Sequence, residues 1–415
     1  MPAQNQRRAI TLFTLVLAGE TIFFLPFVLA RIFRPTLLAY FGITNTELGI
    51  WFSVYGVTAM GAYLVGGYLA DRYSARKLMA LALWLTSLGG FLMAIVPSSR
   101  PMVWIYAFWG FTTICLFWSA MIRATRIWGG LGFQGRAFGW LEGGRGAVAA
   151  LLGTLTFLLY SQVLQFSWVI LFTSVFTLLA GFMVWFFVPD YTLEKVGIKG
   201  NELVRESLIL LKNPSVWLLI IVIICAYSGY KITDDFSLFA KEVLGFSEVQ
   251  AAGIGTAALW LRALVAILAG ILADRFSRIN VIALSFGLTI GGGLMIGLGL
   301  LNSVLTMVLL NLTLTAAGIY GVRALYFAVL EEARIPLGLT GTAIGIVSFA
   351  GFTPEIFVSP LMGHLLDQNP GVPGHRHVFL LLVIFALVGL ASSLIFSKFT
   401  DKPRSEAQNK HENAK

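Results

Sequence analysis

Gly67-Tyr68-Leu69-Ala70-Asp71-Arg72-Tyr73-Ser74 returns in the second half of the chain as Gly270-Ile271-Leu272-Ala273-Asp274-Arg275-Phe276-Ser277. Each copy closes a long apolar run with an acid, a base and a turn. Each also follows a matching glycine, Gly42 or Gly245, at the same distance, so the two halves align over that stretch without a gap. Self-similarity on this scale marks a duplicated structural unit.

Composition places that unit in a bilayer. The chain of 415 residues is 58% hydrophobic and 12% charged, with a mean hydropathy of +0.84; soluble domains carry roughly a quarter charged residues. Apolar stretches of about 20 residues, each enough to cross a membrane, recur about 12 times. They fall near residues 9–31, 47–70, 78–96, 102–125, 138–161, 167–188, 215–239, 249–272, 281–301, 304–328, 341–366 and 377–397. The pattern predicts an all-α polytopic membrane protein.

The net charge of +9 is mostly an orientation signal. With the N-terminus inside, cytoplasmic segments carry about 19 Lys/Arg and outer segments about 5. Both termini are expected in the cytoplasm and the chain in a cytoplasmic (inner) membrane, with no nucleic-acid partner. Arg31 and Arg34 are expected to emerge at the outer surface. Cys115 and Cys225 are the only cysteines and suggest neither a disulfide framework nor a metal site. The first apolar run holds Glu20 and no small-residue cleavage pattern, so it reads as a span and not a signal peptide.

The longest polar stretch between spans, 189–213, separates six spans from six. It reads as a linker, with a short surface helix where Val204, Leu208 and Leu211 recur at helical spacing. This divides the chain into an N-terminal six-helix lobe (1–188), the linker, a C-terminal six-helix lobe (214–399) and a polar tail (400–415) expected to be disordered.

With two six-span halves, a central linker and a G-x-L-A-D-R signature after spans 2 and 8, the chain resembles the major facilitator superfamily of secondary transporters, over nearly its whole length. The family's loop motif runs Gly-x-x-x-Asp-Arg/Lys-x-Gly-Arg/Lys-Arg/Lys. Gly67, Asp71, Arg72 and Arg76 match it, with Lys77 just past its end; Ser74 replaces the second glycine. Gly270, Asp274, Arg275 and Arg278 match in the second copy, which has lost the basic ending. Trp118 and Arg123, followed by Gln134-Gly135-Arg136, are loosely similar to its organic-anion and organophosphate branches.

The resemblance implies alternating access, with the duplicated motif as a cytoplasmic latch. Asp71 and Asp274 would face a neighbouring helix N-terminus and accept from nearby Arg72, Arg76 and Arg275 only while that side is closed. A charge-assisted contact of this kind contributes about 1.5–3 kcal/mol, enough to shift a balanced two-state equilibrium more than tenfold.

Ionisable groups inside spans cost about 2.5–3.5 kcal/mol each on insertion scales, so they mark function or pairing. Glu142 and Arg145, one turn apart, read as a gating pair. Lys231 lies within a turn of Asp234 and Asp235, so neutralisation among themselves competes with a role in binding. Arg262, Arg323, Glu20 and Glu355 have no partner on their own helix. Carried over by span from the family, Arg262 and Arg323 would present fixed cations to a central cavity, with Arg123, Lys231, Tyr230 and Tyr320 beside them as binding candidates. Glu20, Glu355 and Asp234 would neutralise these cations or carry a coupled proton. Pro26, Pro354 and Pro360 should bend their helices. His364 and Asp367 read as interfacial.

These readings converge on a secondary transporter of a small organic anion, proton-coupled, acting as a monomer in the bilayer without metal or cofactor. An exporter of amphiphilic compounds such as drugs or siderophores is the competing reading. No G-x-x-x-x-G-K-S/T motif occurs, which argues against an ATP-driven pump. Only 4 His exist and none lies mid-span, which argues against an enzyme.

Overall fold

The computed structural model describes residues 2–96, 98–130, 134–190, 212–301, 304–326 and 347–412. All regular structure among the described residues is helical. Ten of these helices are long and apolar enough to cross a membrane. The second expected span is the helix Asn45–Arg72. The start of the eleventh, with the proposed linker helix at Val204, Leu208 and Leu211, lies outside the described residues.

The two repeats begin and end alike. Gly42 (φ +61°) closes α3 (Arg34–Phe41), and Gly245 (φ +70°) occupies the matching position; both need the left-handed conformation that glycine adopts freely. Thr44 then caps α4 (Asn45–Arg72): its hydroxyl accepts from Glu47 N at 3.2 Å while Glu47 Oε2 accepts from Thr44 N at 2.8 Å. Ser247 and Gln250 make the same reciprocal cap at 3.3 and 2.9 Å ahead of α12 (Glu248–Arg275). Both helices run 28 residues and stop on the arginine of the duplicated signature. Asp71 and Asp274 are therefore in the last turn of their helices, not just past them.

By spatial contact the chain forms two compact units. The first comprises Met1–Val196, Thr233–Ala263 and Glu355–His375; the second comprises Gly197–Ile232, Leu264–Pro354 and Arg376–Lys415.

In the first unit α1 (Pro2–Phe23) passes through a π-helical stretch, Phe24–Val28, into α2 (Leu29–Ile32). Pro26, which has no N–H to give the ladder, sits inside that stretch. A second π stretch, Phe111–Trp118, joins α6 (Met102–Gly110) to α7 (Ser119–Gly129). With α5 (Ala75–Ile95), α8 (Gln134–Val163) and α9 (Phe166–Phe187) these helices enclose an apolar core that includes Leu25, Phe33, Met79, Trp109 and Phe117.

At the end of α1 remote from the N-terminus, three further pieces pack on: α11 (Phe236–Glu242), the start of α12, and α15 (Pro354–Gln368). Close approach is made by small residues. A Cβ on Gly49 would lie 2.6 Å from both Ser359 O and Pro360 Cα, and one on Gly255 would lie 2.8 Å from Ile32 Cα. Pro354 starts α15, and Pro360 inside it faces Gly49.

In the second unit α10 (Pro214–Ile232), α13 (Arg278–Gly297) and α14 (Leu305–Leu325) surround Ile223, Phe286 and Val322. The final helix, α16 (Val372–Glu412), keeps helical backbone through residues 400–412, beyond its apolar span, where composition reads as a disordered tail.

Candidate functional site

Tyr227, Tyr230, Tyr320 and Arg323 come together in the second unit, because α10 and α14 lie side by side and each presents residues one turn apart. The guanidinium carbon of Arg323 is 3.6 Å from the centroid of the Tyr230 ring and 5.7 Å from that of Tyr227. Tyr230 meets Tyr320 edge-on at 6.4 Å, and Phe352 closes on Tyr227 at 5.0 Å. Arg323 Nη1 is buried and has no hydrogen-bond partner among the described residues. A cation held over aromatic faces is attracted by their quadrupoles but not neutralised. Lys231, in the same helix as Tyr227 and Tyr230, is 1% exposed.

Arg262 occupies a different setting, in the first unit. Its Nη1 is 3.6 Å from Glu20 Oε1, and Arg145 Nε is 3.3 Å from Glu20 Oε2. Arg145 Nη1 also donates to Glu142 at 2.7 Å, the turn-apart pair expected from the sequence. The guanidinium of Arg145 lies 5.6 and 5.7 Å from the rings of Phe23 and Trp118. The result is an alternating chain, Arg262–Glu20–Arg145–Glu142, in which each buried charge has a counter-charge. Glu355 is buried in the first turn of α15, where a carboxylate is favoured by the helix dipole.

A third polar cluster fills the remote end of the first unit. Arg31 and Arg34 are each only 1% exposed, so the expectation that they emerge at the surface is corrected. Arg31 Nε donates to Asp234 Oδ1 at 2.5 Å, and Arg34 Nε to Asn45 Oδ1 at 3.0 Å. Asp234 thus has a guanidinium partner from far along the chain. Asp367, expected to be merely interfacial, accepts at the start of α4 from Thr46 N (2.7 Å), Thr46 Oγ1 (2.6 Å), Asn45 N (3.1 Å) and Asn45 Nδ2 (3.2 Å). It satisfies amides that a helix leaves open. Glu248 accepts from Lys241, Tyr160 and Thr36. His375, which sequence reasoning passed over because it opens a span, faces Asp235 and Glu242.

The motif residues sit at the opposite ends of α4 and α12. The side chains of Asp71 and Arg136 lie outside the described residues. Arg72 bonds to and stacks on Tyr68, and Arg76 reaches Asp190 at 3.0 Å with its guanidinium 5.4 Å from the Trp185 ring. Asp190 also bonds Ser74, and these contacts hold its carboxyl below the usual range. Asp274 and Arg275 are exposed and make no polar contact among the described residues. Arg123, in the first unit, donates from Nη1 to the carbonyls of Ala70 and Tyr73 at the end of α4.

The sequence model of the Major Facilitator Superfamily matches residues 12–354. Inner membrane protein YqcE of Escherichia coli (strain K12) is 31% identical over 96% of this chain and 97% of its own. Inner membrane protein YihN of the same organism is 27% identical over 94% and 96%. Among solved structures, a bacterial homologue of the human lysosomal transporter Spinster, inward-facing and unoccupied, superimposes with a TM-score of 0.73 at 15% identity, covering 95% of this chain and 98% of that one. The nucleoside transporter NupG gives 0.69 at 14% identity, covering 97% and 100%.

Proposed function

The chain belongs to the major facilitator superfamily and is a membrane transporter, and from that premise we propose that its cargo is a small organic anion moved by proton-coupled alternating access. The observation that carries the anion reading is Arg323. Its guanidinium does not deprotonate, has a buried N–H group without an acceptor among the described residues, and is walled by Tyr227 and Tyr230. A carboxylate, phosphate or sulfonate supplies the missing acceptor and takes two parallel donors from the fork.

Arg262 plays a different part because Glu20 already neutralises it. An anion arriving at Arg262 displaces Glu20, and a displaced carboxylate in a half-dry site takes up a proton. Cargo and proton are then linked through one exchange of partners. Glu355 and Asp234 are the further proton-coupling candidates, with Lys231, Tyr230 and Tyr320 lining the site in the second unit.

In this reading two six-helix lobes, 1–188 and 214–399, rock about the linker 189–213, with both termini in the cytoplasm of a cell whose inner membrane holds the protein. The excess of basic residues on one side supports that orientation, and the names of the two relatives agree with the membrane. Asp274, exposed and without a polar contact among the described residues, suits a cytoplasmic latch that is released. Glu142 with Arg145, and Arg72, Arg76 and Arg275 beside the two aspartates, are the remaining gating candidates.

The test is ligand-induced stabilisation of the detergent-purified protein by carboxylates, phosphates, sulfonates, neutral sugars, nucleosides and lipophilic cations, at one mildly acidic and one mildly basic pH. Stabilisation by one anionic class, lost in Arg323→Ala, supports the proposal. Stabilisation by lipophilic cations or amphiphiles alone, unchanged in Arg323→Ala, replaces it with export of amphiphilic compounds.

A further inference from the structure

His375 has a carboxylate oxygen at each ring nitrogen. Nδ1 is 2.8 Å from Asp235 Oδ2, and Nε2 is 3.2 Å from Glu242 Oε2. A neutral imidazole donates from one nitrogen and presents a lone pair at the other. An ionised carboxylate facing that lone pair is repelled. Both contacts are hydrogen bonds only when the three groups together hold one proton more than a neutral ring with two carboxylates.

The neighbouring acids favour that extra proton, against burial that opposes a charged ring. The side chain of His375 is 1% exposed and that of Asp235 0%, while Phe239 of α11 stands edge-on to the imidazole at 5.4 Å. Arg34, from α3, feels the charges of Asp235, Asp234, Asp367 and Glu242. Arg31, from α2, holds Asp234. The packed cluster thus gathers four carboxylates, from the 3₁₀ turn Thr233–Asp235, α11 and α15, against two guanidinium groups, with the buried Lys231 three residues before Asp234. A further positive charge on His375 reduces the excess. Parting the remote end takes Arg31 and Arg34 away from these acids and admits water, which removes two repelling cations and the burial that opposes a charged ring, so the parted arrangement binds the proton more tightly than the packed one.

We infer that His375, Asp235 and Glu242 form a proton-binding site, and that proton uptake there favours parting of the remote end of the first unit while proton loss keeps it packed. The sign follows from linkage: whichever state binds the proton more tightly is favoured as pH falls. This deepens the alternating-access reading above and rests on it, but it is independent of the cargo's chemistry. It also adds a proton site that the mid-span carboxylates do not supply.

The experiment uses the full chain in lipid nanodiscs without cargo, in a Cys115→Ser, Cys225→Ser background. Ile50→Cys on α4 and Leu361→Cys on α15, both exposed, carry spin labels across the seam between those helices. Distance distributions are recorded between about pH 5 and pH 9, spanning ordinary histidine titration near 6.5. The short-distance population is expected to rise as pH rises, and His375→Gln is expected to abolish that dependence. A flat wild-type profile, or a His375→Gln profile that matches wild type, overturns the inference. Should His375→Gln not fold, Glu242→Gln carries the test: losing one carboxylate should lower the midpoint by about one pH unit, and an unmoved midpoint overturns it. The transport proposal fails separately, by absence of anion stabilisation.

Discussion

Arg31 Nε lies 2.5 Å from Asp234 Oδ1, and each of the two side chains is only 2% exposed. The pair ties the first span to the seventh inside one compact unit, at the end where α11 and α15 also pack. A charge pair this dry is committed: removing one member leaves the other without compensation.

Arg31→Ala should therefore destabilise strongly, by about 3–5 kcal/mol, read as a lowered melting temperature in detergent. The double variant Arg31→Ala, Asp234→Ala should recover part of that loss. Additive losses would mean that the two side chains do not act as a pair.

Gly49→Ala should hinder packing of α15 on α4, because its methyl group meets the backbone at Ser359 and Pro360. Overpacking of this kind costs about 1–3 kcal/mol. The matched control is Gly61→Ala on the same helix, where a Cβ meets nothing within 4 Å; it should be neutral or slightly stabilising. Labels at Ile50 and Leu361 should move apart in the first variant only.

Arg262→Ala and Arg323→Ala should separate structure from binding. Arg262 is half of an ion pair with Glu20, so its loss should lower the melting temperature without cargo. Arg323 has no counter-charge among the described residues, so its loss should leave the empty protein nearly as stable and remove stabilisation by anions. The reverse pattern would assign the anion to the Glu20 network.

Asp190 gives a pH prediction at the motif loop. Its bond to Ser74 and the nearby Arg76 and Lys77 depress the folded-state pKa. The contribution is complete above the unfolded value, about 3.9, and is lost as pH falls through the folded one. The difference in melting temperature between wild type and Asp190→Asn should accordingly shrink as the pH is taken from about 6 to below about 4. A difference that grows on acidification would contradict the assignment.

The repeat was legible because glycine, cap and signature are local features: Gly42 with Thr44 and Glu47, and Gly245 with Ser247 and Gln250, specify helix starts by backbone chemistry alone. The Glu142–Arg145 pair was legible for the same reason, being one turn apart. Arg31, Arg34 and Asp367 were misjudged because their partners lie far along the chain, and a charge near a span end looks interfacial until those partners are known. The contacts of Arg123 with the carbonyls where α4 stops were not legible either, because they join residues about 50 apart in the chain. His375 carried no signal of its own; its meaning comes from Asp235 and Glu242, brought close only by packing.

The separation between Arg31 and Asp234, 203 residues, has a consequence for biogenesis. At about 5–20 residues per second, synthesis reaches Asp234 roughly 10–40 s after it has made Arg31. Throughout that interval Arg31, at the end of the first span, lacks the carboxylate against which it is later buried. A ribosome-bound N-terminal half is thus expected to keep that end of the span at the headgroup layer or against the insertion machinery. Crosslinking from a probe beside Arg31 should shift from lipid or insertase to this chain only once the segment bearing Asp234 has emerged.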